Sequence, residues 1–353
     1  MDRFQIVETA GNFNHAGTKA TSDIARVAER LGFSSVDVKM NTTKKTKFAK
    51  IQRQIGYFKD WNRCYRQISD GSVVLLQHPF HYPQLTRDKI LHKLKEKKHV
   101  RYISVVHDVE KLRAFRYNDY YRHEFDEMIE LADAVIVHNR VMLDYFVKLG
   151  VPEKKLVNLE IFDYLQDDLT YSKPSFAREI NVAGNLDTVK CKYIRQLGNI
   201  GVSVNLYGPN FDETMKDSRN VTYKGSFPAS EIPHKLVCGF GLVWDGDSIE
   251  GCKGLSGQYL CYNNPHKLSL YLSSGIPVIM WNGAAEASFV RENNVGICVD
   301  NLNELSGIFE TMTKEEYDNY AESVGAVRSR LVSGYYADRA INKALGIIGA
   351  DSR

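Results

Sequence analysis

Residues 244–279, WDGDSIEGCKGLSGQYLCYNNPHKLSLYLSSGIPVI, constrain the fold of this chain more than any other stretch. The apolar run 240–244 just ahead reads as a strand. A loop rich in Gly and Asn follows, and Asn264-Pro265-His266-Lys267 heads a helix. The helix ends at Gly275-Ile276-Pro277 and gives way to another apolar run, 278–281. Strand, loop, helix and strand in that order is the repeat of a parallel α/β sheet, because parallel neighbours need a crossover between them. A helix N-terminus also presents unpaired backbone N–H groups and the positive end of its dipole. Lys267 adds a full cation in the first turn, so this helix mouth suits a diphosphate.

The same rhythm runs through the rest of the chain. Residues 4–7 form a short apolar run, 10–18 a loop, 20–31 a helical pattern ended by Gly32, and 35–38 a strand. Val73-Val74-Leu75-Leu76, residues 102–106 and Ala134-Val135-Ile136-Val137 are continuous apolar runs, as strands buried on both faces require. Each is followed by polar or small residues: Gln77-His78-Pro79, His107-Asp108 and His138-Asn139. Ligands bind at those carboxyl ends in an open parallel sheet. Residues 163–177 break the alternation. A second series follows, with strands at 179–182, 202–206, 221–223, 240–244, 278–281 and 296–299 and helices at 187–197 and 267–273. From Lys314 the chain reads as helical, anchored by Tyr335, Tyr336 and Ile341.

The expected architecture is therefore α/β, two doubly wound Rossmann-like domains facing across a cleft. The first spans 1–165, a linker 166–177, the second 178–330, and a helical tail 331–353 packs back on the first domain. No internal repeat and no apolar run of membrane-spanning length is present. Six cysteines without a C-x-x-C pair argue against a zinc site and against a secreted disulfide framework. With no signal-peptide pattern at the N-terminus, the expected location is cytoplasmic. Residues 1–165 hold 28 Lys and Arg against 21 Asp and Glu, whereas the remainder holds 18 against 22. The basic first part suits an anionic acceptor or peripheral contact with a membrane surface, or is a solvated face. Lys44, Lys45, Lys47, Lys50 and Arg53 are its densest cluster. No nucleic-acid-binding module is recognisable, so nucleic acid is not an expected partner.

The run N-P-H-K-L-S-L-Y-L-S-S-G-I-P-V resembles the donor-side pattern P-x-K…Y…G-x-P-V of the GT-B glycosyltransferases. More narrowly, D-G-x-S-I-E-G-C-x-G together with Y-N-N-P-H-K-L-S-L-Y-L resembles one bacterial family. It includes glucosyltransferases that extend GlcNAc on serine-rich-repeat adhesins, and β-1,6-galactofuranosyltransferases. Ala183-Gly184-Asn185-Leu186, Leu206-Tyr207-Gly208-Pro209 and His107-Asp108-x-Glu110-x-Leu112-Arg113 fit that family in the same order, so the resemblance covers nearly the whole chain. It implies a UDP-sugar-dependent hexosyltransferase, glucosyltransferase or galactofuranosyltransferase, acting on a glycan acceptor carried by protein or lipid. It also implies a homo-oligomer and no metal. Lys267 and either Lys190 or Lys192 would hold the donor diphosphate, Tyr207 would lie near base or ribose, Asn263 and Asn264 near the phosphates, and Asn185 would also contact the nucleotide-sugar. Two cations facing a departing nucleoside diphosphate stabilise its developing charge, as a metal otherwise does.

Asp245-Gly246-Asp247 spells D-x-D, a metal-binding signature of another glycosyltransferase fold. After a strand it also reads as an ordinary turn, and here it is expected to be a ligand-facing turn without metal. For proton transfer the first domain offers His15, His78, His107, Asp108 and His138 near strand ends. Asp108, beside His107, is the expected base, against the plainer role of a helix N-cap. Gly17 and Thr18, in the loop after the first strand, are expected near the transferred or acceptor sugar. That loop lacks G-x-G-x-x-G, and no G-x-S-x-G or H-E-x-x-H occurs. Dehydrogenase, serine hydrolase and zinc protease chemistry are thus unsupported. The alternatives to transfer are a non-catalytic subunit that binds glycan or partner, and a UDP-sugar epimerase.

Overall fold

The computed structural model describes residues 1–9, 16–114 and 116–350, with the backbone alone for 16–18. Two sheets of six strands carry the fold. The first contains β1 (Arg3–Thr9), β2 (Ser34–Lys39), β3 (Val73–His78), β4 (Arg101–Val106), β5 (Ala134–Val137) and β6 (Leu156–Asn158). The second contains β7 (Ser175–Ala183), β8 (Ser203–Tyr207), β9 (Val221–Gly225), β10 (Cys238–Val243), β11 (Val278–Trp281) and β12 (Gly296–Val299). All neighbours pair in parallel, in the orders β2-β1-β3-β4-β5-β6 and β12-β11-β10-β7-β8-β9. Strand order therefore reverses between β1 and β3 in one sheet and between β7 and β10 in the other. Open α/β sheets bind ligands beyond the carboxyl ends of the strands at such reversals.

The chain divides into two units, Met1–Leu159 with Ala337–Arg353, and Glu160–Tyr336. In the first, β3 is covered on both faces, and Val73, Val74, Leu75 and Leu76 are all buried, as their unbroken apolar run demands. Short polar side chains start the helices. Thr46 accepts from Ala49 N–H, Asn118 from Tyr121 N–H and Asn139 from Met142 N–H. The last helix, Tyr335–Ile347, begins beyond Gly334, whose φ of 89° ends the helix Lys314–Ser333. Its far end belongs to the first unit, where Arg3 and Arg101 donate to the carbonyls of Ala350 and Ile348. Tyr336 and Ile341 are buried there or nearby, whereas Tyr335 is exposed and no anchor. In the second unit, residues 160–165 are held by Asn264, which donates to the Glu160 carbonyl, and Ser269, which donates to that of Phe162.

One local expectation fails, and one strand was not read from the sequence. The helix read at 187–197 is a 3-10 segment at Lys192–Asn199. Ahead of it the Asp187 carboxylate accepts from Val189 N–H, a local bond that competes with helix formation. The three-residue β6 is too short to show a period, and only its pairing with β5 reveals it.

Candidate active site

At the reversal of strand order in the second unit, β7 ends in Ala183-Gly184 and β10 runs into Trp244-Asp245. The helix His266–Ser274 packs above them, and its residues at i and i+4, Lys267 and Tyr271, share one face. Gly241 makes room for that face, since a Cβ there would come 2.0 Å from the Tyr271 ring. The Tyr271 hydroxyl accepts from Ala183 N–H at 2.7 Å, which pins the helix to the end of β7. One turn earlier, the Lys267 ammonium donates to the Trp244 carbonyl at 3.2 Å, and its stem passes Gly184. The end of β8 lies against the same loop. A Cβ on Gly208 would strike the Gly184 carbonyl at 1.8 Å, so only glycine allows this approach.

The electrostatics of this cluster centre on Lys267. Burial disfavours its charged form, but Tyr193, Asp245, Cys191 and Tyr271 together more than offset that, and its pKa is raised. Burial pushes Cys191 and Tyr271 each up to about 12, and raises Tyr193 further. The Cys191, Tyr193 and Tyr271 side chains act on Lys267 only once ionised, which burial delays to high pH, so the Asp245 carboxyl is its partner among these four below that range. Asp245 in turn accepts from Gly246 N–H at 2.8 Å and from the Cys191 thiol at 3.3 Å. A lysine at a helix N-terminus needs a compensating anion, and Asp245 provides it inside the chain. Tyr193 is fully buried, yet its hydroxyl has no hydrogen-bond partner.

The remaining predicted donor-side residues sort around this centre. Lys192 pairs with Asp247 at 3.3 Å and is thereby tied to the β10 loop. Lys190 is exposed, on the turn closed by its N–H to the Asp187 carbonyl. Gly246 adopts φ 97° in a turn folded under Lys253, and its carbonyl accepts from Tyr193 N–H. Asn185 is exposed and accepts from Asn210 and from Asp187 N–H. Tyr207 is buried at the end of β8, its hydroxyl pushed up to about 12 by desolvation. Asn263 and Asn264 lead through Pro265 into the helix, and the buried Oδ1 of Asn263 has no hydrogen-bond partner among the described residues. Tyr193, Cys191 and the Trp244 carbonyl were missed in the sequence, because a 3-10 turn and a main-chain oxygen leave no periodic signal. Tyr271 could have been found from its i+4 spacing to Lys267.

In the first unit, His107 and Asp108 follow β4. His107 Nε2 lies 2.7 Å from Gln77 Oε1, and Asp108 is paired with Arg113 at 2.9 Å. The short helix that follows takes Val109, not Asp108, as its N-cap. At the β1/β3 reversal His78 Nδ1 meets Glu124 at 2.7 Å, and that carboxylate also accepts from Phe80 N–H. Glu124 is held below the usual range, because His78 and its other partners outweigh burial. His138 is buried and lowered to about 4, so it is neutral. Glu8, near the end of β1, was not singled out in the sequence. Burial raises it to about 7 against the pull of Arg87, with Gln84 donating to it at 2.6 Å. Gly17 and Thr18 open the helix Ala16–Arg30, but their side chains, like all of His15, lie outside the described residues. The acids and histidines with metal-ligand spacing among the described residues are His92, Glu127 and Glu130, on the helices Arg87–Lys98 and Asp119–Leu131. A His92–Glu127 hydrogen bond of 2.9 Å accounts for that grouping.

Residues 3–161 match the family model "Glucosyltransferase 3-like, N-terminal domain", and residues 180–344 match "Glucosyltransferase 3-like, C-terminal domain". The chain is 36% identical over 241 residues to the beta-1,6-galactofuranosyltransferase WbbI of Escherichia coli, covering 67% of this chain and 68% of that protein. It is 27% identical over 331 residues to glucosyltransferase 3 of Streptococcus gordonii, covering 92% and 93%. Among solved structures, Anabaena Alr3699/HepE in complex with UDP and glucose superimposes with a TM-score of 0.59 at 12% identity, over 98% of this chain and all of that one. At that identity the likeness speaks for the fold. With both halves of the sequence and both sheets in agreement, this chain belongs to the glucosyltransferase 3-like family of GT-B glycosyltransferases.

Proposed function

We propose that this chain transfers a hexose, glucose or galactofuranose, from a UDP-sugar to a hydroxyl of a glycan held on protein or lipid, without a metal ion. The observation that carries this is the half-buried ammonium of Lys267 at the β7/β10 reversal, held on the Trp244 carbonyl beside the open end of a helix. As the bond from anomeric carbon to phosphate oxygen breaks, negative charge accumulates on the diphosphate. A cation already fixed there stabilises it without reorganisation. Lys192, tied to the β10 loop by Asp247, is the better placed second cation. The orphaned Oδ1 of Asn263 can accept from a hydroxyl of the donor, and Tyr207 borders the nucleoside. Asp245 and Asp247 each have a cation at hand, Lys267 and Lys192, which supports a metal-free site. As the new glycosidic bond forms, the acceptor hydroxyl loses its proton to a carboxylate of the first unit. Asp108 is assigned that role, with Glu8 as the competing acid.

The test is incubation with labelled UDP-glucose and UDP-galactofuranose and a GlcNAc-capped acceptor. Transfer from one donor, undiminished by a chelator, is the expected result. Absence of both transfer and slow donor hydrolysis would overturn the proposal, and activity that requires added manganese would overturn its metal-free part.

A further inference from the structure

The helix Lys47–Gln67 in the first unit turns Ala49, Gly56, Tyr57, Asp60, Trp61 and Cys64 into the core. On its outer side Phe48, Ile51, Ile55 and Phe58 recur at i, i+3, i+7 and i+10, which makes one continuous stripe. They are 77%, 60%, 53% and 55% exposed. Single exposed apolar residues need no explanation, but a stripe of four does. A neighbouring loop extends it. Gln54 donates to the Pro83 carbonyl and accepts from Leu85 N–H, which places the 80%-exposed Leu85 alongside.

Cations border the stripe. Lys44, Lys45, Lys47, Lys50 and Lys59 are exposed, and Arg53 donates to the carbonyls of Thr42 and Lys44, holding the lysine-bearing loop against the helix. The single acid in residues 41–66 is Asp60, buried and bonded to Lys39 N–H and Arg63. A second copy laid on this stripe would set lysines against lysines with no acid to pair them, which is unfavourable. An anionic lipid surface complements both features at once. Apolar side chains enter the boundary between headgroups and acyl chains, and lysines extend toward the phosphates. We propose that this face of the first unit docks peripherally on anionic bilayers. The proposal stands on the first unit alone, and its outcome is separable from donor chemistry because vesicle binding needs no sugar nucleotide.

The experiment is co-sedimentation of the full chain with vesicles of phosphatidylglycerol and phosphatidylcholine, and of phosphatidylcholine alone, with sedimentation velocity in their absence. Binding is expected to the anionic vesicles, weakened at high salt and on neutral ones. It should fall at least about tenfold in Phe48→Ser/Ile51→Ser/Ile55→Ser/Phe58→Ser, and similarly in Lys44→Glu/Lys45→Glu/Lys47→Glu. Circular dichroism and UDP affinity should be unchanged in both variants. Failure of the wild-type chain to bind anionic vesicles, or binding indifferent to both variants, would overturn the proposal. So would an oligomer that dissociates in the serine variant without any vesicle binding, which would assign the stripe to a second copy.

Discussion

The two reversals of strand order occupy the same place in their sheets and differ in chemistry. In the second unit, Lys267 lies among Cys191, Tyr193 and Tyr271, whose ionisation burial disfavours, with the Asp245 carboxyl beside them. In the first unit, carboxyl groups interlock with polar and basic partners: Glu124 with His78, Asp108 with Arg113, Glu8 with Gln84 and near Arg87. A fixed cation in a desolvated wall suits an incoming anion whose charge grows during reaction. A mesh of acids and bases, one of them titrating near neutrality, suits proton transfer. Topology provides the same strand-order reversal in each sheet, and the side chains at the strand ends make the two chemically different.

The sharpest way to break this contrast is Lys267→Met. It should lower kcat/KM by about a hundredfold to a thousandfold and weaken UDP binding, read by steady-state kinetics and calorimetry. A variant that turns over normally would remove the anion-receiving role. Next comes Asp108→Asn, expected to lower transfer by about a hundredfold while donor affinity holds. Unchanged turnover, with the loss appearing instead in Glu8→Gln, would move the proton to Glu8.

Glu8 also makes a stability prediction. Burial pushes its carboxyl up to about 7, above the ordinary glutamate value of 4.5. The unfolded chain therefore ionises first, and stability is fullest below pH 4.5 and declines as pH rises toward 7. Glu8→Gln should remove that decline, on the order of 2 kcal/mol after allowing for the partial exposure of the residue, in thermal melts across this range. A wild-type profile already flat between those values would show the carboxyl to be solvated. An effect of similar size is expected for Tyr271→Phe, which leaves Ala183 N–H without its partner at a cost of about 1–3 kcal/mol in urea unfolding. An unshifted midpoint would mean that the hydroxyl does not pin the helix to β7.

Legibility followed periodicity. Unbroken apolar runs such as Val73-Val74-Leu75-Leu76 and Ala134-Val135-Ile136-Val137 announced buried parallel strands, because a strand covered on both faces has no room for polar residues. The helix at Lys267 was visible for the same reason, with Gly275 and Pro277 marking its end. Where local hydrogen bonds competed with regular structure, as at Asp187, the reading failed. The base assigned from a strand-end pattern proved to be paired with Arg113, and the acid poised near neutrality, Glu8, sits in a strand whose sequence signals nothing but alternation.

By itself the sequence determined the α/β alternation, the two sheets and a lysine at the mouth of a helix, since all three depend on residues close together in the chain. Only the tertiary structure decided what surrounds that lysine. Trp244, Asp245, Cys191, Tyr193 and Tyr271 come from separate segments, and burial and charge act through distances that no spacing in the chain encodes.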